Sequence, residues 1–79
     1  MLVNIKLFAT ARERASRNEI ALNVPEQTTL SRLREVLAEN VPALRDMPGR
    51  WAVNLEFVSW NYIVKAGDEL AWIPPVCGG

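Results

Sequence analysis

From Leu2 to Phe8 apolar and polar positions alternate, with Val3, Ile5 and Leu7 on one face and Asn4 and Lys6 on the other. A period of two predicts a half-buried strand, because successive side chains leave opposite faces of the pleat. Phe8 falls on the polar face, where an aromatic ring either packs at the rim or offers a contact to another molecule. Residues 9–16 read as a short helical or turn segment, and Ile20, Leu22 and Val24 then alternate into a second strand. The two strands are expected to pair as a hairpin with a long connection.

Pro25 ends the second strand, and Thr28 or Thr29 can cap a helix in which Leu30, Leu33, Val36 and Leu37 recur at three-and-four spacing. Arg32, Arg34, Glu35 and Glu39 are expected on its outer surface. Asn40 and Pro42 stop it, since proline lacks an N–H and biases Val41 away from helical geometry. Strand patterns follow over residues 51–54, 57–59 and 69–73, with turn material at Ala66-Gly67-Asp68. In the last strand Leu70 and Trp72 share one face, and Ala71 and Ile73 the other. If the first pair meets the helix, Ile73 points outward where the chain leaves the sheet. Two strands, one long helix and further short strands predict an α+β fold in which one main helix covers a mixed sheet, a β-grasp or ubiquitin-like roll. Residues 1–73 are assigned to that domain and 74–79 to an extended, flexible C-terminal diglycine tail.

The tail carries the candidate chemistry. Pro74 and Pro75 cannot donate to a ladder, so they end the strand and hold the exit extended. Gly78 and Gly79 have no Cβ to obstruct a narrow channel, which would let an enzyme reach the α-carboxylate of Gly79 as a reactant. Fully extended, the six residues span at most about 20 Å. The rest of the composition points the same way: the 79 residues include no histidine and one cysteine, leaving little for general acid/base or nucleophilic work. The tail therefore reads as a substrate, with catalysis supplied by partners; neither a bound cofactor nor a metal is expected. A 49% hydrophobic content supports one small core without staples. Nine basic and nine acidic residues balance to zero, which argues against capture of nucleic acid or an anionic membrane. The lone cysteine excludes an internal disulfide, the opening residues lack a secretory pattern, and no apolar stretch reaches spanning length. A cytoplasmic location is the expectation.

Four blocks occur in order from end to end: Phe8-Ala9-x-Ala11-Arg12-Glu13, Ala52-Val53-Asn54, Gly67-Asp68-Glu69-Leu70-Ala71 and Pro74-Pro75-Val76-x-Gly78-Gly79. Together they resemble the small subunits of molybdopterin synthase, the MoaD-type sulfur carriers. The resemblance implies that an ATP-dependent activating enzyme converts the Gly79 carboxylate to an acyl-adenylate, which a sulfur donor displaces to leave a thiocarboxylate. It further implies that Gly78 passes through the channel of the large synthase subunit, where the sulfur is transferred to cyclic pyranopterin monophosphate. Other carriers of the same roll serve thiamin thiazole synthesis or are joined to lysines as protein modifiers, and a plain interaction domain would need neither glycine.

Fixing four to six tail residues in a channel costs roughly 4–12 kcal/mol of backbone entropy. Each large apolar side chain buried at an interface returns about 1.5–3 kcal/mol, so a folded domain with exposed anchors can offset that loss. Phe8 and Ile73 are the anchors that alternation turns outward; Phe57 joins them from the resemblance, its own face being ambiguous. Ordinary core or rim packing of all three is the alternative. Pro74, Pro75, Val76 and Cys77 complete the partner-binding set. Cys77 departs from the family pattern, which places a small hydroxyl residue there; it either fits the channel sterically or reacts with the activated terminus. Arg12 and Glu13 fit a structural ion pair or cap better than a partner contact. Trp51, Trp60 and Trp72 lack the basic stripe of a nucleotide-stacking platform and read as core or partly buried packing, and Tyr62 as resting against the sheet.

Overall fold

The computed structural model describes residues 1–75. In chain order it contains β1 (Leu2–Leu7), α1 (Ala9–Ala15), β2 (Glu19–Asn23), α2 (Leu30–Asn40), a 3-10 turn (Pro42–Leu44), β3 (Arg50–Val53), β4 (Glu56–Phe57) and β5 (Glu69–Ile73). The strands form one mixed sheet in the order β2-β1-β5-β3-β4. β1 and β5 run parallel, with Ile5 opposite Leu70 and Leu7 opposite Trp72, and the remaining neighbours are antiparallel. This is the β-grasp roll expected from the order of elements.

The alternation in β1, β2 and β5 decides which face is buried. Val3, Ile5, Leu7, Ile20, Leu22, Trp51, Val53, Leu70 and Trp72 form one core with Leu30, Leu33 and Leu37 of α2. A one-residue slip in any of these strands would turn its whole apolar set to solvent, so the register is strongly specified. Thr29 is the residue that caps α2, its hydroxyl accepting from the Arg32 N–H at 3.2 Å. Thr28 is buried instead and donates its hydroxyl proton to the Pro25 carbonyl. Val36 is half-buried at the edge of the helix stripe.

Residues 9–16, read as a helical or turn segment, contain the helix α1, which buries Ala11. Other local expectations are corrected. Pro42 opens a 3-10 turn that the pattern did not reveal, because a single turn is too short to show a period. The strand expected over residues 57–59 is Glu56–Phe57, since pairing with β3 consists only of Ala52 opposite Phe57 and Val53 opposite Glu56. The chain then turns away through Ser59 and Asn61, which hydrogen-bond each other. Asn54 belongs to the β3–β4 turn, where its φ of 51° is one that asparagine tolerates. Arg34, expected on the outer surface, folds inward. Pro74, assigned to the free tail, is buried, so the chain leaves the domain only beyond it.

The other residue of the β3–β4 turn is Leu55, with a φ of 71° and a side chain 89% exposed. Left-handed backbone costs a residue with a Cβ about 1–2 kcal/mol, whereas glycine pays only its greater unfolded freedom, roughly 0.5–1 kcal/mol. Leu55→Gly is therefore expected to stabilise the chain by up to about 1 kcal/mol, a rise of a few degrees in a thermal melt for a domain of this size. A lowered melting midpoint would show that the exposed leucine contributes packing after all.

Candidate functional site

The face of the sheet away from α2 carries the sequence-derived anchors. Cross-strand register puts Phe57 beside Ala52, Ala52 beside Ala71, and Ile73 beside Arg50. Phe57 is 50% exposed and Phe8 44%, while Ile73 is half-buried between them. Two hollows join the three. One, of about 210 Å³, is lined by Phe8, Leu55, Ala52, Ala71 and Ile73, with Lys6 and Glu69 on its rim. The other, of about 420 Å³, is lined by Phe57, Ile73, Pro74 and Pro75 with Pro48, Gly49 and Arg50. Ile73 belongs to both, so the anchors form one surface that runs into the tail exit. Two charged side chains shape it. Arg50 stacks on the Phe57 ring at 4.1 Å from the centroid, and Lys6 pairs with Glu69 at 3.0 Å. The hydrogen bond from Lys6 to Glu69 and their attraction raise the ammonium above its ordinary value, but an exposed pair of this kind contributes little to stability.

Two of the sequence blocks meet at the opposite end of β5 from the exit. Asn54 donates its side-chain N–H to Asp68 Oδ1 at 3.1 Å and accepts from the Glu69 N–H at 3.0 Å. Asp68 Oδ2 accepts from the Tyr62 hydroxyl at 3.0 Å and from the Lys65 N–H at 2.8 Å. Gly67, with a φ of 87°, supplies the turn that aims Asp68 inward. The Ala-Val-Asn and Gly-Asp-Glu blocks are thus a structural knot that ties the β3–β4 turn to the start of β5. Burial acts to raise the Asp68 carboxyl, but the Lys65, Asn54 and Tyr62 hydrogen bonds and the Lys65 charge outweigh it and hold the group below its ordinary value. Burial and the bond to Asp68 raise the Tyr62 phenol in turn.

A carboxyl depressed in the folded state adds stability above its unfolded pKa and loses it as pH falls through the folded value. The Asp68 contribution is therefore complete above the ordinary value of 3.8 and lost in more acid solution. Asp68→Ala is expected to cost about 1–3 kcal/mol at neutral pH through the donors it strands, with the deficit shrinking toward pH 3. Melts of both chains across that range check this, and a deficit independent of pH would assign the loss to packing.

Pro75 is exposed beside Pro74, whereas Val76, Cys77, Gly78 and Gly79 lie outside the described residues. Arg12 and Glu13 are exposed, and no ion pair joins them among the described residues; the Glu13 carbonyl accepts the N–H of Ser16 at the end of α1. Glu13 also stands with Thr10, Arg14, Asp46, Met47 and Pro48 around a hollow of about 310 Å³ that reaches Pro74 and Pro75. Trp51 and Trp72 are core residues in edge contact at 5.1 Å between centroids, and the half-exposed Trp60 meets Trp72 at 6.0 Å. Tyr62 packs against the core. Among the described residues no group of three or more His, Cys, Asp or Glu could hold a metal, and no helix is long and apolar enough to cross a membrane.

The residue that sequence reasoning misplaced is Arg34. Its Nη2 donates to the carbonyls of Leu44, Arg45 and Met47, and its guanidinium lies 4.6 Å from the centroid of the Trp72 ring. Burial lowers its pKa against the opposing pull of Asp46. Helical periodicity could not reveal this, because the acceptors lie ten to thirteen residues further along the chain.

Comparison with known proteins places these features in a wider group. The model of the ThiS family matches residues 5–79. The chain is similar to a molybdopterin synthase sulfur carrier subunit of Arabidopsis thaliana, 33% identical over 79 residues that span 98% of this chain and 82% of the relative. It is also similar to the subunit of that name from Escherichia coli K12, 33% identical over 84 residues that span 99% of this chain and all of the relative. Among solved structures, SAMP1, the small archaeal modifier protein 1 of Haloferax volcanii, superposes with a TM-score of 0.88 at 29% identity, with both chains covered in full.

Proposed function

Because this chain belongs to the ThiS family, we propose that it is a sulfur carrier, the small subunit of a molybdopterin synthase. The observation that carries this reading is the match of nearly the whole chain to two subunits of that name, joined to the Gly78-Gly79 pair in the sequence and an open apolar face that reaches Pro74 and Pro75. The chain supplies a reactive terminus and a docking surface, and the partners supply the catalytic groups.

In the proposed cycle an activating enzyme uses ATP to convert the Gly79 carboxylate to an acyl-adenylate with release of pyrophosphate. A carboxylate resists attack because its negative charge is shared over both oxygens, and adenylation provides a good leaving group. A sulfur nucleophile then attacks the carbonyl carbon and AMP departs, leaving sulfur in place of one oxygen. The thiocarboxylate is ionised near neutral pH and nucleophilic through sulfur. Phe8, Phe57 and Ile73 dock on the large subunit while Val76, Cys77 and Gly78 lie in its channel. The sulfur of Gly79 attacks a carbon of cyclic pyranopterin monophosphate and displaces an oxygen substituent there. Water then cleaves the acyl C–S bond, leaving sulfur on the pterin and returning Gly79 as a carboxylate. A dithiolene holds two sulfurs, so two loaded carriers are consumed for each product.

Intact-mass spectrometry tests the reading. Incubation with an activating enzyme, ATP and a sulfur source is expected to replace one terminal oxygen by sulfur, and an unmodified mass would reject it. A second reading, that the chain is a protein modifier, is favoured by the likeness to the archaeal modifier. It predicts isopeptide adducts on lysines in cells that survive reducing agents, which a carrier alone would not form. A carrier for thiamin thiazole synthesis would show the same mass change but would not pass its sulfur to cyclic pyranopterin monophosphate.

A further inference from the structure

Arg34 spends a half-buried charge on a loop. Its Nη2 gathers the carbonyls of Leu44, Arg45 and Met47, the last at 2.8 Å, while Nη1 is buried without a partner. A methionine at this position could cover the Trp72 ring without desolvating a guanidinium. It could not hold three carbonyls of one loop, so the geometry of that loop is what the arginine specifies.

That loop forms the wall of the tail exit. Met47 and Pro48 line the hollow on one side of Pro74 and Pro75, and Pro48 and Gly49 line the hollow on the other side. Gly49 is fitted to the same place: a Cβ there would lie 2.6 Å from Trp72 Cε2 and 2.9 Å from the Ile73 carbonyl. Trp72 thus has the Arg34 guanidinium on its ring and the Gly49 backbone pressed against its edge. Two residues later Pro74 is buried, and Pro75 emerges.

We propose that Arg34 is a positioning residue for sulfur delivery: by gathering the carbonyls of residues 44–47 against Trp72 it fixes the wall along which Pro74-Pro75 leaves the domain, and so sets where Gly79 is presented. It acts through the loop and touches no reacting atom. The proposal rests on the sulfur-carrier reading, in which docking by the open sheet face and delivery by the tail are separate events. Disturbing the exit should leave the Phe8 and Phe57 anchors in place for docking and misplace the tail.

The test compares Arg34→Met, which keeps the stem but donates nothing, with Arg34→Lys, whose ammonium offers three hydrogens to the three carbonyls. In the isolated chain, nuclear Overhauser contacts between the Gly49 Hα atoms and the Trp72 ring, which the close approach of the two provides, are expected to weaken or vanish in the methionine variant and persist in the lysine variant. With thiocarboxylated carrier and the large synthase subunit, the methionine variant is expected to keep its KM within about twofold while kcat falls about 10–100-fold, the scale of loss when a reactant is misplaced by an ångström. Lysine should restore most of kcat. Circular dichroism confirms folding, and Arg34→Leu, which likewise donates nothing, replaces methionine if that variant unfolds.

Wild-type kcat in the methionine variant, a parallel loss in KM and kcat, or a lysine variant as defective as methionine would each overturn the proposal. A wild-type chain that accepts no sulfur would instead overturn the carrier reading. The Gly49–Trp72 contacts then decide the role of Arg34 in placing the exit: their persistence in the methionine variant overturns it.

Discussion

A chain lacking Gly79 is expected to bind the large synthase subunit with an affinity within about tenfold of the intact chain, a difference of at most about 1.4 kcal/mol, and to transfer no sulfur. On the proposed cycle the apolar contacts of Phe8, Phe57 and Ile73 survive the deletion, whereas the acyl carbon to be adenylated and sulfurised moves back by one residue. That displacement, about 3.3–3.6 Å along an extended chain, is several times the ångström-scale misplacement that already costs about 10²-fold. Binding and chemistry therefore separate, and the fall in turnover reaches the uncatalysed background. Calorimetry against the large subunit and single-turnover assays with the activating enzyme present measure the two halves. Any thiocarboxylate formed on the shortened chain that supports turnover would remove Gly79 from its assigned role.

Phe57→Glu is expected to do the reverse, abolishing docking while leaving the tail chemically competent. The ring stands half-exposed on the edge strand β4, so the isolated fold has little to lose. Arg50, already 4.1 Å from the ring centroid, can pair with the introduced carboxylate. In the complex the substitution forfeits about 1.5–3 kcal/mol of apolar burial and forces desolvation of a charge, worth several kcal/mol more. Together these weaken binding by roughly 10²-fold or more. The variant should still be thiocarboxylated if the activating enzyme engages a different part of the face. Unchanged affinity for the large subunit would reject Phe57 as an anchor.

Most of the architecture was legible because it rests on short-range periodicity. Val3, Ile5 and Leu7 announce their face two residues at a time, and Leu30, Leu33 and Leu37 announce theirs three and four at a time. The outward placement of Phe8 followed from the same alternation. What escaped were contacts between residues distant in sequence. Asp68 looks like an ordinary turn residue until Asn54 and Tyr62 are brought beside it. Leu55 looks like any apolar residue of a strand pair until the turn gives it a positive φ and solvent on nearly every side.

The chain's own pattern thus determined that a helix would cover one face of a mixed sheet, that the other face would stay open, and that two glycines would follow two prolines at the end. Local sterics and the burial of apolar surface suffice for that, since each acts over a few residues. Only the tertiary structure decided that Phe8, Ile73 and Phe57 share one surface, that Pro74 is buried, and that Arg34 turns inward to hold the loop beside it. Those outcomes depend on register between strands far apart in the chain and on carbonyls that a loop exposes in one place, and neither is encoded in the spacing of residue types.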